Sequence, residues 1–301
     1  MLTDSEIRTL GIELLTVKTD RDKQLRVGAS DLSDACDHCL AIKLSGGIRD
    51  SALSRKTWLG RTEGTATHNL LEDRIQEQLS SEEKRTIANL TGASAEQHVW
   101  FGELGSYGKV GGSIDLGLPE QIVDWKGSTR KKSALMQDHL QSLGNYRTGL
   151  PSRWKRQARG NWKLDFSDCS YSLSDADYKR EMAHQVTKVT RYFGQAMLYC
   201  KGSGRKRASL WFFNRDGTGF WDVPTEAGYE DPLKFHDVWV LSFDYNEEYA
   251  EALLNRGRYI WEKLEAGASP ADFGRHEHCF VCSNEVEPEL PDIEVSFGVA
   301  A

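Results

Sequence analysis

The sequence has no apolar run near the roughly 18 residues that would cross a membrane, so a membrane-spanning role is excluded. The start, "MLTDSEIRTL", is polar and carries acids, so it does not read as a secretory leader. That makes the cytoplasm the expected location and a membrane partner unexpected. It has no G-x-x-x-x-G-K-[ST] phosphate loop, which excludes a built-in ATP motor of that kind. It has no internal repeat and no long low-complexity linker, which argues against a solenoid or a tethered array. Cysteine is scarce, six in 301 residues, and in a reducing cytosol these are not expected to be disulfides.

What is present is a polar globular composition, 39% hydrophobic and 28% charged, with a net charge of −7. The balance is uneven. Between Lys126 and Lys163 ten Lys/Arg face a single acid, Asp138, a local excess of nine that leaves −16 to the rest. Such asymmetry implies a localised anion-binding surface. The length suits one large domain.

Periodicity predicts helices over residues 5–16, 29–44 (with Ser30 as N-cap), 57–79, 134–143, 177–200 and 247–267. Strands are predicted over residues 98–104, 109–118, 121–125, 208–214 and 238–246, with a turn at Pro119-Glu120. The basic segment outside 134–143 reads as loop. Residues 285–301 read as a loosely held acidic tail. The order of elements predicts an α/β or α+β core with a mixed central sheet flanked by helices.

The chemistry concentrates on "IVDWKGS". In a strand, alternate side chains share a face, so Asp124 and Lys126 point one way and Trp125 the other. Asp115 lies nine residues earlier, and a tight turn at Pro119 can set it beside Asp124. Two carboxylates on adjacent strands suit a hard divalent cation such as Mg²⁺, which keeps its remaining positions for water and phosphate. Lys126 could then serve the attacking water or the charge on phosphate. Gly111 and Gly112 fit a close approach by another backbone or a substrate. The simpler alternative is an Asp/Lys surface pair on an edge strand.

The cysteines form two C-x-x-C pairs, Cys36/Cys39 and Cys279/Cys282, with Cys169 and Cys200 standing alone. Four thiolates complete a tetrahedral set, and a clip closing so long a loop would stabilise the fold. The basic stretch carries Arg130, Lys131, Lys132, Arg153, Lys155, Arg156 and Arg159 interleaved with Tyr146, Trp154 and Trp162. Cations neutralise phosphates and rings stack on bases, a combination that suits single-stranded DNA.

Asp115 followed by Asp124-Trp125-Lys126 resembles the core of the PD-(D/E)xK nucleases, and within them the RecB-like exonuclease branch. Gly64 and His68 match that branch's upstream G-x-x-x-H, and Gln195 and Tyr199 its downstream Q-x-x-x-Y. The resemblance covers about residues 60–200. It implies a restriction-endonuclease-like fold over 1–284, with a basic DNA-binding insertion at about 127–165. It further implies a metal-dependent DNA exonuclease of recombination, repair or processing, in the cytosol of a prokaryote or of a phage-infected host. His68, Asp115 and Asp124 would bind Mg²⁺ or Mn²⁺, Lys126 would serve the water and the transition state, Gln195 would orient Lys126 or a phosphate, and Tyr199 would support the DNA backbone. Many relatives, AddB-type and CRISPR-associated ones among them, carry a 4Fe–4S cluster, usually on one N-terminal and three C-terminal cysteines. The two-and-two arrangement here departs from that pattern, and Zn²⁺ is the alternative. The partner would be DNA with a single-stranded end, with a helicase or recombinase partner and homo-oligomerisation left open. The rival functions are a catalytically silent single-stranded nucleic-acid-binding module and an unrelated phosphate-ester metallohydrolase.

Overall fold

The computed structural model describes residues 26–46, 55–80, 92–142, 154–165, 170–214, 238–277, 279 and 282. The predicted helix over 5–16, the tail 285–301, Tyr146, Arg153 and Cys169 lie outside them. Among the described residues no helix is long and apolar enough to cross a membrane.

The chain is a mixed α/β fold. Its elements are α1 (Ala29–Leu32), α2 (Asp37–Leu44), α3 (Arg55–Leu79), β1 (Ser94–Glu103), β2 (Lys109–Gly117), β3 (Gln121–Ser128), α4 (Arg130–Ser142), β4 (Lys155–Arg156), β5 (Trp162–Asp165), β6 (Ser170–Leu173), α5 (Asp175–Ser203), β7 (Arg207–Asn214), β8 (Val238–Asp244) and α6 (Glu247–Glu265). Five strands form the central sheet in the order β1-β2-β3-β7-β8. All neighbours are antiparallel except β3 and β7, which run parallel from Gln121↔Arg207 to Ser128↔Asn214. A parallel pair needs a crossover, and here it is the stretch of α4, the short strands and α5.

Alternation along β3 and β7 sorts two layers. Ile122, Ala208, Leu210 and Phe212 join the main core with Val189, Ala196 and Met197 of α5. Trp125 and Phe213 turn to a second cluster, closed by Leu71, Ile75 and Leu79 of α3. The long helices carry ordinary end signals. Ser174 accepts a hydrogen bond from Asp177 N–H at 3.1 Å to cap α5, which ends at Gly204 in the left-handed region (φ 72°). Asn246 accepts from Tyr249 N–H at 2.9 Å to cap α6.

Two sequence expectations are corrected. Residues 29–44 are two helices, not one, and the first is capped at Gly28 rather than Ser30. The Asp34 carboxylate accepts the Cys36 N–H at 3.1 Å, and Arg256 donates to the Leu32 and Asp34 carbonyls. Those bonds hold an extended turn at Cys36 where a continuous helix would run.

The described part of the basic segment after its helix, from Trp154 on, is also not simply loop: it supplies β4 and begins β5, which join β6 in a three-stranded antiparallel sheet. Trp154 and Leu164 are buried there against Ala134 and Leu135 of α4. High charge on the outward positions conceals the period-two pattern.

Candidate active site and four-thiol centre

The β2–β3 ladder pairs Gly117 with Ile122 and Leu116 with Val123. The next pair in this register is Asp115 opposite Asp124, at the point where the strands part. The parting frees the Trp125 N–H, which donates to Asp115 Oδ2 at 2.7 Å. Both carboxylates are buried, Asp115 at 8% and Asp124 at 2% exposure.

A continuous set of contacts runs outward from this pair. His68, on α3 one turn after Gly64, places Nδ1 3.4 Å from Asp115 Oδ1. Its ring meets the Trp125 indole edge-on, with centroids 5.7 Å apart. Lys126 Nζ lies 2.5 Å from Asp124 Oδ2 and donates to Gln195 Oε1 at 3.3 Å. Gln195 Nε2 donates to the Tyr199 hydroxyl at 3.1 Å, one helical turn on. Gly112 makes room for that ring: a Cβ there would sit 3.0 Å from Tyr199 Cε1. His68, Asp115, Asp124, Lys126, Gln195 and Tyr199 therefore converge.

The environment separates the two acids. Burial pushes Asp124 up to about 6, against the pull of Lys126 and with the help of Asp115. Burial also works against ionised Asp115, but the His68 hydrogen bond and charge, then Lys126 and the Trp125 N–H, bring it below its ordinary value. His68 is raised by its bond to Asp115, against burial. Burial disfavours charged Lys126, yet Asp124, Tyr192 and Asp115 together leave it raised. Burial raises the Tyr199 hydroxyl. These are the effects expected of two like charges sharing one buried place.

Sequence reasoning missed Tyr192, whose ring lies under Lys126 Nζ at 4.7 Å. The signal was available: Tyr192, Gln195 and Tyr199 fall at i, i+3 and i+7 on one helix face.

The basic segment divides. Lys155, Arg156 and Arg159 are exposed on the β4–β5 hairpin, Arg156 at 3.9 Å from Asp175. Lys131 faces Glu181 at 3.5 Å, and Lys132 is half-buried on α4. Two expectations, Arg130 and Trp154, are corrected here. Arg130 is buried, which removes it from the surface. Trp154 is buried, edge-on to Tyr178. Trp162 is stacked on Tyr178 at 3.8 Å, and its Nε1 donates to Asp175 at 3.0 Å. Trp154 is thus committed to packing against α4 and Tyr178, while half-buried Trp162 keeps part of its ring at the surface.

The four paired cysteines meet at a second centre. Sγ–Sγ distances are 3.5 Å for Cys36–Cys282, 3.5 Å for Cys39–Cys279 and 3.6 Å for Cys39–Cys282. All four sulfurs lie within 4.8 Å of one another, and all four residues are buried. The turn at Cys36 and the first turn of α2 bring Cys36 and Cys39 to one side. Arg256 fixes that turn through Asp37 at 2.6 Å and the two carbonyls. His38 anchors the C-terminal segment: its Nδ1 lies 2.7 Å from the Pro270 carbonyl, and its N–H donates to Gly274 at 3.1 Å. Cys200 takes no part; its thiol faces the Arg207 carbonyl, and burial pushes it up to about 12.

No known family profile matches the chain, and no curated protein matches it significantly. Solved structures do align with it. One is SSO0001, 12% identical, covering 89% of this chain and 88% of its own with a TM-score of 0.37. Another is a phage-related exonuclease from Haemophilus somnus 129PT, 14% identical, with coverage of 81% and 97% and a TM-score of 0.36. A third is LHK-Exo, solved in complex with dAMP, 11% identical, with coverage of 82% and 93% and a TM-score of 0.37. At these identities and TM-scores the likenesses carry no argument about chemistry, which rests on the chain's own residues.

Proposed function

We propose that this protein is a divalent-metal-dependent DNA exonuclease with a PD-(D/E)xK core of the RecB-like kind. The observation that carries the reading is the opposition of Asp115 and Asp124 where β2 and β3 part, with Lys126 ion-paired to Asp124 and hydrogen-bonded to Gln195. Two buried carboxylates are hard oxygen donors, which suit Mg²⁺ or Mn²⁺, with the His68 imidazole as a nitrogen donor beside them. A like-charged buried pair is also what a divalent cation relieves.

Asp115, Asp124 and His68 would hold that ion. When bound, it supplies Lewis acidity toward the scissile phosphate and a more acidic water. Lys126, steered by Asp124 and Gln195, serves the attacking water and the charge that builds on phosphate. Gln195 holds Lys126 in place, and Tyr199 braces Gln195 and the DNA backbone. The exposed cations of the β4–β5 hairpin, Lys155, Arg156 and Arg159, meet phosphates of an incoming strand. Residues 1–284 act as one nuclease unit with 127–165 as its basic insertion, working alone or beside a helicase or recombinase in DNA recombination, repair or processing.

The test uses end-labelled linear DNA and a covalently closed circle, each with Mg²⁺ or Mn²⁺. Wild type should degrade the linear substrate and spare the circle, and Asp124→Ala should be inactive. Equal trace activity in wild type and variant overturns the proposal. Retention of single-stranded DNA without cleavage by either protein would instead identify a binding module.

A further inference from the structure

We infer that Cys36, Cys39, Cys279 and Cys282 hold a single tetrahedral Zn²⁺ ion, not an iron–sulfur cubane. The inference is independent of the nuclease reading, since none of these thiols touches the opposed carboxylates.

The separation of the sulfurs decides the matter. Four thiolates at the ordinary Zn–S length of about 2.3 Å stand about 3.8 Å apart at the corners of a tetrahedron. Three sulfur pairs here stand 3.5, 3.5 and 3.6 Å apart, and no pair exceeds 4.8 Å. A cubane binds each thiolate to a different iron, with its own irons and sulfides between them. Pairs this close leave no room for that body. A two-iron cluster fails for the same reason: it needs two pairs held apart across the cluster, whereas Cys39 is close to both Cys279 and Cys282.

The chemistry around the sulfurs agrees. The donor set is complete with four thiolates, so no position is left open for water or substrate, as in a structural zinc site. The sulfurs are buried, and the loop that presents Cys36 and Cys39 is held by three Arg256 hydrogen bonds. Such outer contacts orient ligands before an ion arrives. The ion would join α2 to the segment after Pro270 and would carry no electrons.

The experiment is metal analysis of the full chain, purified anaerobically without a histidine tag. We expect one zinc per chain, no acid-labile sulfide and no broad visible absorption. Exchange with Co²⁺ should give the intense red-region ligand-field bands of a tetrahedral thiolate site. A mercurial titration of wild type should release the zinc in step with its four thiols, and Asp124→Ala should keep it. Cys282→Ser should lose it; if that variant does not fold, the titration alone decides. A brown protein with iron and sulfide in matching amounts overturns the inference. So does stoichiometric iron without sulfide, or four thiols that react as fast as in the denatured chain with no zinc released.

Discussion

Removing the ion from the four-thiol centre should cost a large part of the protein's stability. The bridge from Cys36 to Cys282 closes a loop of 246 residues. On the chain-entropy relation used for cross-links, such a loop is worth about 5.5 kcal/mol at 25 °C. Whole domains are stable by only about 5–15 kcal/mol, so this one clip is comparable with the net stability of many proteins. With a urea slope of about 3 kcal/mol/M, the loss corresponds to a midpoint about 1.8 M lower. The assay is urea unfolding followed by far-UV circular dichroism, on holo protein, on chelated protein and on Cys282→Ser. Cys200→Ser controls for thiol loss elsewhere, because its sulfur lies outside the cluster and faces the Arg207 carbonyl. Holo, chelated and Cys282→Ser proteins with midpoints within about 0.3 M of each other would refute the loop-closure reasoning.

Gln195→Ala removes the acceptor for Lys126 and the donor to Tyr199. Single-turnover cleavage should fall about 10–100-fold with the melting temperature little changed, as for other groups that orient a site from behind. Gly112→Ala puts a methyl 3.0 Å from the Tyr199 ring. It should cost about 1–3 kcal/mol in urea unfolding and also slow cleavage, since Tyr199 holds Gln195. Replacing Lys155, Arg156 and Arg159 with Ala should weaken single-stranded DNA binding without loss of fold. The slope of log affinity against log salt should become shallower by about 2, or about 0.7 per lost phosphate contact.

The parts legible in the sequence were those whose causes are local. The Pro119 turn fixes the hairpin, and a hairpin's register places Asp115 opposite Asp124 from their spacing alone. Gln195 and Tyr199 share a face because a helix has a fixed pitch, and two C-x-x-C pairs announce four thiols whatever the fold. What escaped has distant causes. The break between α1 and α2 has one local cause, the Asp34 bond to the Cys36 N–H, and one distant cause, Arg256, which holds the turn from more than 220 positions away. Tyr192 resembles any core aromatic until Lys126 is found above it. Trp154 sits among so many cations that it reads as a nucleic-acid surface, and only the fold shows it buried against α4 and against Tyr178 of α5.

The long separation of the two C-x-x-C pairs also orders events during synthesis. At about 5–20 residues per second, the ribosome finishes Cys282 about 12–50 s after Cys36. Every side chain from His68 to Tyr199 is made within that interval, before either C-terminal thiol exists. The carboxylates and the lysine are thus translated ahead of the last two thiols. An interrupted chain would carry the carboxylates and the lysine but lack the last two sulfurs, leaving the thiols of Cys36 and Cys39 unmatched. An ion that needs all four thiols would then be held only by a chain translated through Cys282.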